Sequence, residues 1–197
     1  MKYIINMPAL ERDFFEKNFA ETTLFTDYPV FIETGTYMGE TTYNMSKLFN
    51  KVHTIEINKK LYERTKGNMQ NKVNNVKFHL GDSSILMSLL CDKIKQPALF
   101  FLDGHWSGGI TGKGNKDCPL MEELDSIMHK FTNNAVLIID DCRLFGQGPT
   151  TTGELCNWED IHMDKILEIT KLRTEKHYLV PSEMNSKDRL IIFLNKK

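Results

Sequence analysis

Short apolar runs alternate along the chain with longer stretches in which apolar residues recur at helical spacing. Runs at 29–33, 51–56, 75–80, 98–103, 135–141, 175–180 and 189–194 read as strands. In 75–80, Val76, Phe78 and Leu80 alternate with polar residues, as on a half-covered face. Ala98-Leu99-Phe100-Phe101-Leu102 and Ala135-Val136-Leu137-Ile138-Ile139 are apolar throughout, as central strands covered on both faces must be. Helical patterns fall at 40–49, 59–70, 119–131 and 158–172, with a further helix capped by Ser83 or Ser84 and running to Cys91. Strands alternating with helices predict an α/β fold: a Rossmann-like, doubly wound, mostly parallel seven-stranded sheet with helices on both faces. The last two strands are joined by a short connection containing Pro181, Ser182 and Asn185, so the sheet is expected to end in an antiparallel C-terminal strand. Residues 1–28 precede the first strand. Phe14, Phe15 and Phe19 form one apolar face there, on a packing helix or a lid, and 29–197 form the main domain.

Composition narrows the function classes. With 41% hydrophobic and 26% charged residues, the 197-residue chain is an ordinary globular domain. A net charge of -1 gives no support for nucleic acid as partner. No apolar run approaches the ~20 residues of a membrane span. The first ten residues lack the apolar core and small-residue cleavage site of a secretory signal. Cys91, Cys118, Cys142 and Cys156 are scattered without CxxC pairing, which fits reduced thiols and a cytoplasmic location. The expected partner is a small molecule or glycan; a homo-oligomer stays open.

In an open parallel sheet, ligands bind beyond the carboxyl ends of the strands. The first strand exits into Glu33-Thr34-Gly35-Thr36-Tyr37-Met38-Gly39, an acid followed by two glycines that permit a tight turn and close approach. The second strand ends in Glu56, placed to accept hydrogen bonds from ribose hydroxyls. The third ends in Gly81-Asp82-Ser83. A dinucleotide would ask for Gly-x-Gly-x-x-Gly, whereas the spacing here is Gly35-x-x-x-Gly39, and Glu33 would repel a pyrophosphate. Glu33 suits a sulfonium amino acid with its ammonium group.

This pattern resembles the first motif of the class I S-adenosylmethionine-dependent methyltransferases. The resemblance implies S-adenosylmethionine bound by Glu33, Gly35, Thr36, Gly39, Glu56, Asp82 and Ser83. Glu56 would take the ribose and Asp82 the adenine side. The usual motif carries a further glycine where this chain has Tyr37.

Two other strand ends are rich in acids: Asp103-Gly104-His105-Trp106 and Asp140-Asp141-Cys142-Arg143. Converging carboxylates repel, and a divalent metal such as Mg²⁺ would resolve the repulsion. His105 is the candidate base, since an imidazole titrates near neutrality. The arrangement is similar to the metal-dependent sugar O-methyltransferases of the macrocin O-methyltransferase type. That similarity implies Asp103, Asp140 and Asp141 as metal ligands, with His105 where the relatives have an aspartate base. Trp106 and Arg143 are candidate substrate contacts. The glycine-rich stretch 107–114 fails the phosphate-loop pattern and reads as a substrate loop, with Lys113 also able to meet an acidic substrate. Glu122 and Glu123 read as solvated helix charges, and His53, His79, His129, His162 and His177 as residues without partners. The expected function is O-methylation of a sugar or small polyol-like acceptor. The alternatives are an NAD-dependent oxidoreductase or epimerase, and a methyltransferase-fold module without catalysis.

Overall fold

The apolar runs form the strands of one sheet in the computed structural model, which describes residues 9–19 and 23–197. The opening segment considered above for a secretory signal lies outside them as far as residue 8. In chain order the elements are α1 (Arg12–Asn18), α2 (Leu24–Asp27), β1 (Val30–Thr34), α3 (Glu40–Ser46), β2 (Lys51–Glu56), α4 (Lys59–Met69), β3 (Val76–Leu80) and α5 (Ser83–Lys93). They continue with β4 (Ala98–Leu102), α6 (Leu120–Lys130), β5 (Ala135–Ile139), α7 (Met163–Thr170), β6 (Thr174–Val180) and β7 (Arg189–Leu194). The strand order is β3-β2-β1-β4-β5-β7-β6, parallel from β1 to β5, with β7 antiparallel to both its neighbours.

The antiparallel strand is therefore interior, and β6 is the edge. Burial explains the exchange: every residue of β7 is buried, whereas β6, Thr-Glu-Lys-His-Tyr-Leu-Val, is largely open. An apolar strand needs cover on both faces, and a polar one tolerates the rim. One apolar layer, containing Phe100, Leu124, Ile127 and Phe131, joins the sheet to α5, α6 and α7. The other sets Phe15, Phe19, Leu24 and Met45 against Phe31, Leu99 and Phe193. Through it α1 packs on the sheet. Burying each such side chain contributes about 1.5–3 kcal/mol.

Two of the boundaries that differ from the sequence reading have a visible cause. Asp82, not a serine, caps α5: its extended backbone lets Oδ1 accept from Ser84 N at 2.9 Å. Helix α7 begins at Met163 rather than near 158, because Trp158 is tied into a loop. Its N–H donates to Gln147 O (2.8 Å) and its carbonyl accepts from Gly146 N (3.1 Å). Among the described residues no helix is long and apolar enough to cross a membrane. All four cysteines are free, and burial raises the thiols of Cys91, Cys142 and Cys156 to about 12.

Candidate active site

Sheet order reverses between β1 and β4, so the chain leaves their carboxyl ends in opposite directions and opens a crevice. Thr34 and Leu102 are register partners, which makes Gly35 and Asp103 neighbours at its floor. Gly35 has φ +84°, and a Cβ there would stand 2.5 Å from the Asp103 carbonyl oxygen. Both the backbone angle and the space demand glycine. Gly35→Ala should lose more than the ~1–3 kcal/mol of backbone strain alone, measured by urea unfolding. A loss under 0.5 kcal/mol, about the scatter of ordinary surface changes, would show that β1 and β4 can move apart.

The turn continues through Tyr37 at φ +47° and Gly39 at φ +82°. Tyr37 thus adopts the left-handed conformation that a glycine would adopt at this place. Two bonds hold it: its N–H donates to Glu56 Oε2 (2.9 Å), and its carbonyl accepts from Thr65 Oγ1 (2.9 Å).

A cavity of about 500 Å³ lies over this turn, within the ~300–1,000 Å³ of small-molecule sites. Glu33, Gly35, Thr36, Gly39, Glu56, Asp82 and Ser83 all line it, together with Asp103 and His105. Glu56 accepts from Asn58 N (2.8 Å) through its other oxygen, Oε1. A carboxylate has about four acceptor directions, so Glu56 keeps capacity for hydroxyl donors. Its carboxyl is raised by burial, against the N–H donors of Asn58 and Tyr37. The loop after β4 roofs this end of the cavity: Asn58 Nδ2 donates to Ile110 O (2.8 Å), and a Cβ on Gly114 would stand 2.5 Å from Asp82 Oδ2.

Glu33 is buried and accepts at Oε2 from Thr42 and from Thr54 Oγ1 (2.6 Å). Burial pushes its carboxyl up to about 8, more than those hydroxyls lower it. The Thr36 hydroxyl is paired with Thr54 (2.6 Å), its N–H donates to Ile55 O (3.2 Å) and its carbonyl accepts from Gly39 N (2.8 Å), so Thr36 holds the turn together.

At the floor, His105 Nδ1 stands 3.2 Å from Asp141 Oδ2 and 3.5 Å from Asp103 Oδ1. Neither contact has hydrogen-bond geometry, although the side chain is only 7% exposed. Burial opposes charge on the ring, but Asp103 and Asp141 outweigh it, and the pKa of His105 is raised. Asp103 is itself raised, by burial first and by the charge of Asp141, with His105 acting against them.

The three acids expected to share a metal do not form one set. Asp103 groups with His105 and Asp141, whereas Asp140 groups with Asp141 and Asp188. Both oxygens of Asp140 face Arg189 Nε at 3.1 Å. Asp141 Oδ1 is 2.5 Å from Arg143 Nη1, which also lies 2.6 Å from Asp188 Oδ2. Mg²⁺ wants an octahedron of oxygens at ~2.1 Å. Both oxygens of Asp140 and one each of Asp141 and Asp188 already face guanidinium groups, so the residues present do not offer the open oxygen set that the metal wants.

Arg143 is likewise committed to carboxylates rather than turned to a substrate. Trp106 lies outside the cavity lining, its ring covered by Lys113 Nζ at 4.3 Å from the centroid. Trp158, which the sequence reading passed over, packs on His105 instead, with ring centroids 5.0 Å apart.

Glu123 is another correction. It is 1% exposed, and burial raises its carboxyl to about 7, against bonds from Ser83 and Thr34. It borders a chamber of about 10 Å³ shared with His105, Asp140 and Trp158. A signal existed, since Leu120, Glu123, Leu124 and Ile127 lie on one helical stripe and an acid on an apolar stripe is a buried acid. His53 and His79 also have partners: their rings stack, with Nδ1 and Nε2 3.0 Å apart, and both pKa values fall to about 4, by burial first. His129 Nδ1 lies 3.1 Å from Asp125.

The sequence matches no protein-family model and no curated protein. Solved structures resemble it throughout. A presumed O-methyltransferase from Klebsiella pneumoniae superposes with a TM-score of 0.60 at 14% identity, over 88% of this chain and 76% of that one. The fold is that of the methyltransferases. The N-methyltransferase NodS of Bradyrhizobium japonicum gives 0.55 at 9% identity, over 89% and 90%. A presumed methyltransferase from Streptococcus mutans in complex with SAH gives 0.53 at 14%, over 85% and 89%. At these identities the likeness is one of fold.

Proposed function

We propose that this chain is an S-adenosylmethionine-dependent methyltransferase acting on a hydroxyl of a sugar or small polyol-like acceptor. One observation carries the reading: a single cavity at the sheet's switch point joins the glycine turn, the Glu56 and Asp82 carboxylates and His105. The cradle fits the cofactor, because Gly35 brings bare backbone to the floor and Glu56 keeps acceptor capacity. It suits a pyrophosphate poorly: Glu40 opens α3 and lines the same cavity as Glu56, so acidic side chains stand at the helix start. When bound, S-adenosylmethionine supplies a methyl group made reactive by its sulfonium.

The chain's own part is orientation and proton removal. Nδ1 of His105 faces Asp103 and Asp141, which leaves Nε2 as the nitrogen available to an acceptor. The acids hold the ring in place and strengthen it as a base, so the hydroxyl proton passes to Nε2 as the oxygen becomes a nucleophile. Trp158 closes the other side of the ring and limits its motion.

Isothermal titration tests the reading. S-adenosylhomocysteine should bind at roughly micromolar Kd, about -8 kcal/mol, with the same affinity with and without Mg²⁺, and NAD should give no heat. Binding of NAD alone would turn the reading to an oxidoreductase. Binding of neither would reduce residues 33–39 to a turn.

A further inference from the structure

We propose that the acid cluster at the ends of β5 and β7 is bridged by the chain's own arginines instead of a metal, and that Arg143 positions His105 through Asp141. The inference rests on the reading of His105 as the base. Four carboxylates meet here, Asp103, Asp140, Asp141 and Asp188, and the last is fully buried. Such crowding needs positive charge. Arg143 Nη1 stands between Asp141 Oδ1 (2.5 Å) and Asp188 Oδ2 (2.6 Å), bridging two acid oxygens as a cation would. Arg189 Nε does the same for both oxygens of Asp140.

Arg143 is fixed in turn. Its N–H donates to Asp188 Oδ1 (3.1 Å), and its carbonyl accepts from Gln147 Nε2 (2.6 Å). Asp188 also accepts from Ser182 Oγ (2.5 Å). The geometry of Asp141 gives this bridge a consequence. Asp141 has φ +59°, a left-handed conformation that costs a non-glycine residue energy and persists where its surroundings impose it. That turn presents one carboxylate oxygen to Arg143 and the other to His105. Fixing the first oxygen fixes the plane of the group, and so the ring that meets the second. Partners at this remove from the reacting atoms are worth about 10–100-fold in rate.

The test combines a metal titration with kinetics. Mn²⁺ is titrated into the intact protein and into Arg143→Met, and followed by electron paramagnetic resonance and calorimetry. Wild type should bind no Mn²⁺ in the micromolar range. Arg143→Met frees Asp141 Oδ1 and Asp188 Oδ2 beside Asp140, which stays paired with Arg189, and should acquire a Mn²⁺ site. Its kcat should fall about 10–100-fold while acceptor KM and S-adenosylhomocysteine affinity stay within twofold, and Arg143→Lys should recover much of the loss. Micromolar Mn²⁺ or Mg²⁺ binding by wild type, abolished in Asp103→Asn, would overturn the proposal, and this arm needs no arginine variant to fold. Absence of Mn²⁺ binding in a folded Arg143→Met would also overturn it, since the guanidinium would then not stand in for an ion. Failure of wild type to bind S-adenosylhomocysteine counts against the methyltransferase reading alone and leaves the Mn²⁺ comparison intact.

Discussion

His105→Ala should lower kcat by about 10²–10⁴-fold, the usual contribution of a positioned general base, while S-adenosylhomocysteine still binds within about twofold of wild type. The separation follows from where the ring sits. It lines the cavity beside Asp103, after β4, whereas the Glu56 carboxylate proposed to hold the ribose ends β2, with β1 between them. The companion measurement is the pH dependence of kcat/KM. A base must be neutral to act, and Asp103 and Asp141 raise the pKa of His105 against the effect of burial. Activity should therefore be low in acid and rise with pH through a midpoint above the ordinary ~6.5 of histidine. In Asp141→Asn that midpoint should move down, because one of the raising charges is gone. Full activity of His105→Ala would remove the residue from the chemistry, and a midpoint below 6 would mean that burial, not the acids, governs the ring.

The fold was readable because its signals are local and repeated. Continuous apolar runs at β4 and β5 could only be covered strands, and the alternation in β3 could only be a half-covered one. The order of β6 and β7 in the sheet was harder, since a hairpin pattern fixes pairing but not which strand faces inward. The polarity of Glu175, Lys176 and His177 held that information. That Gly35, Gly39, Glu56 and Asp82 would line one cavity was readable for the same reason: each adjoins the end of a strand or the start of a helix, and parallel strands bring those ends to one edge.

The cluster of acids around His105 was only half readable. Asp103, His105 and Asp141 were within reach of the sequence, because they follow the ends of β4 and β5. The countercharge Arg189 was not. Asp188 and Arg189 stand at the start of β7, about fifty residues further along the chain, and only the antiparallel insertion of β7 beside β5 brings them to Asp140. Without Arg189 in view, crowded acids ask for a metal; in the fold its guanidinium faces both oxygens of Asp140. Trp106 and Trp158 show the same limit. Proximity in sequence favoured the first, and a long loop delivered the second.

Glu33→Gln should stabilise the protein by an amount that grows with pH, by roughly 3 kcal/mol between pH 5 and pH 8. The carboxyl of Glu33 is raised to about 8 in the folded chain by burial, from 4.5. Below pH 4.5 both folded and unfolded chains carry the proton, and Glu33 costs nothing. Between 4.5 and 8 the unfolded chain loses its proton while the folded chain retains it, so stability declines as pH rises. Above 8 the folded carboxylate is charged as well, and the penalty stays constant. Glutamine keeps a carbonyl oxygen for the Thr42 and Thr54 hydroxyls and never ionises, so its stability should lack this slope. Glu123 and Asp140, both raised to about 7, add slopes of the same sign. The pH dependence of wild type alone is therefore not diagnostic, and the difference between the two proteins is the quantity to measure. Urea unfolding at pH 5, 6, 7 and 8 supplies it. A difference that stays flat across the series would mean that Glu33 is charged in the folded protein, balanced by a cation or by water entering from the cavity. The carboxylate would then stand ready for a ligand's ammonium group without first giving up a proton.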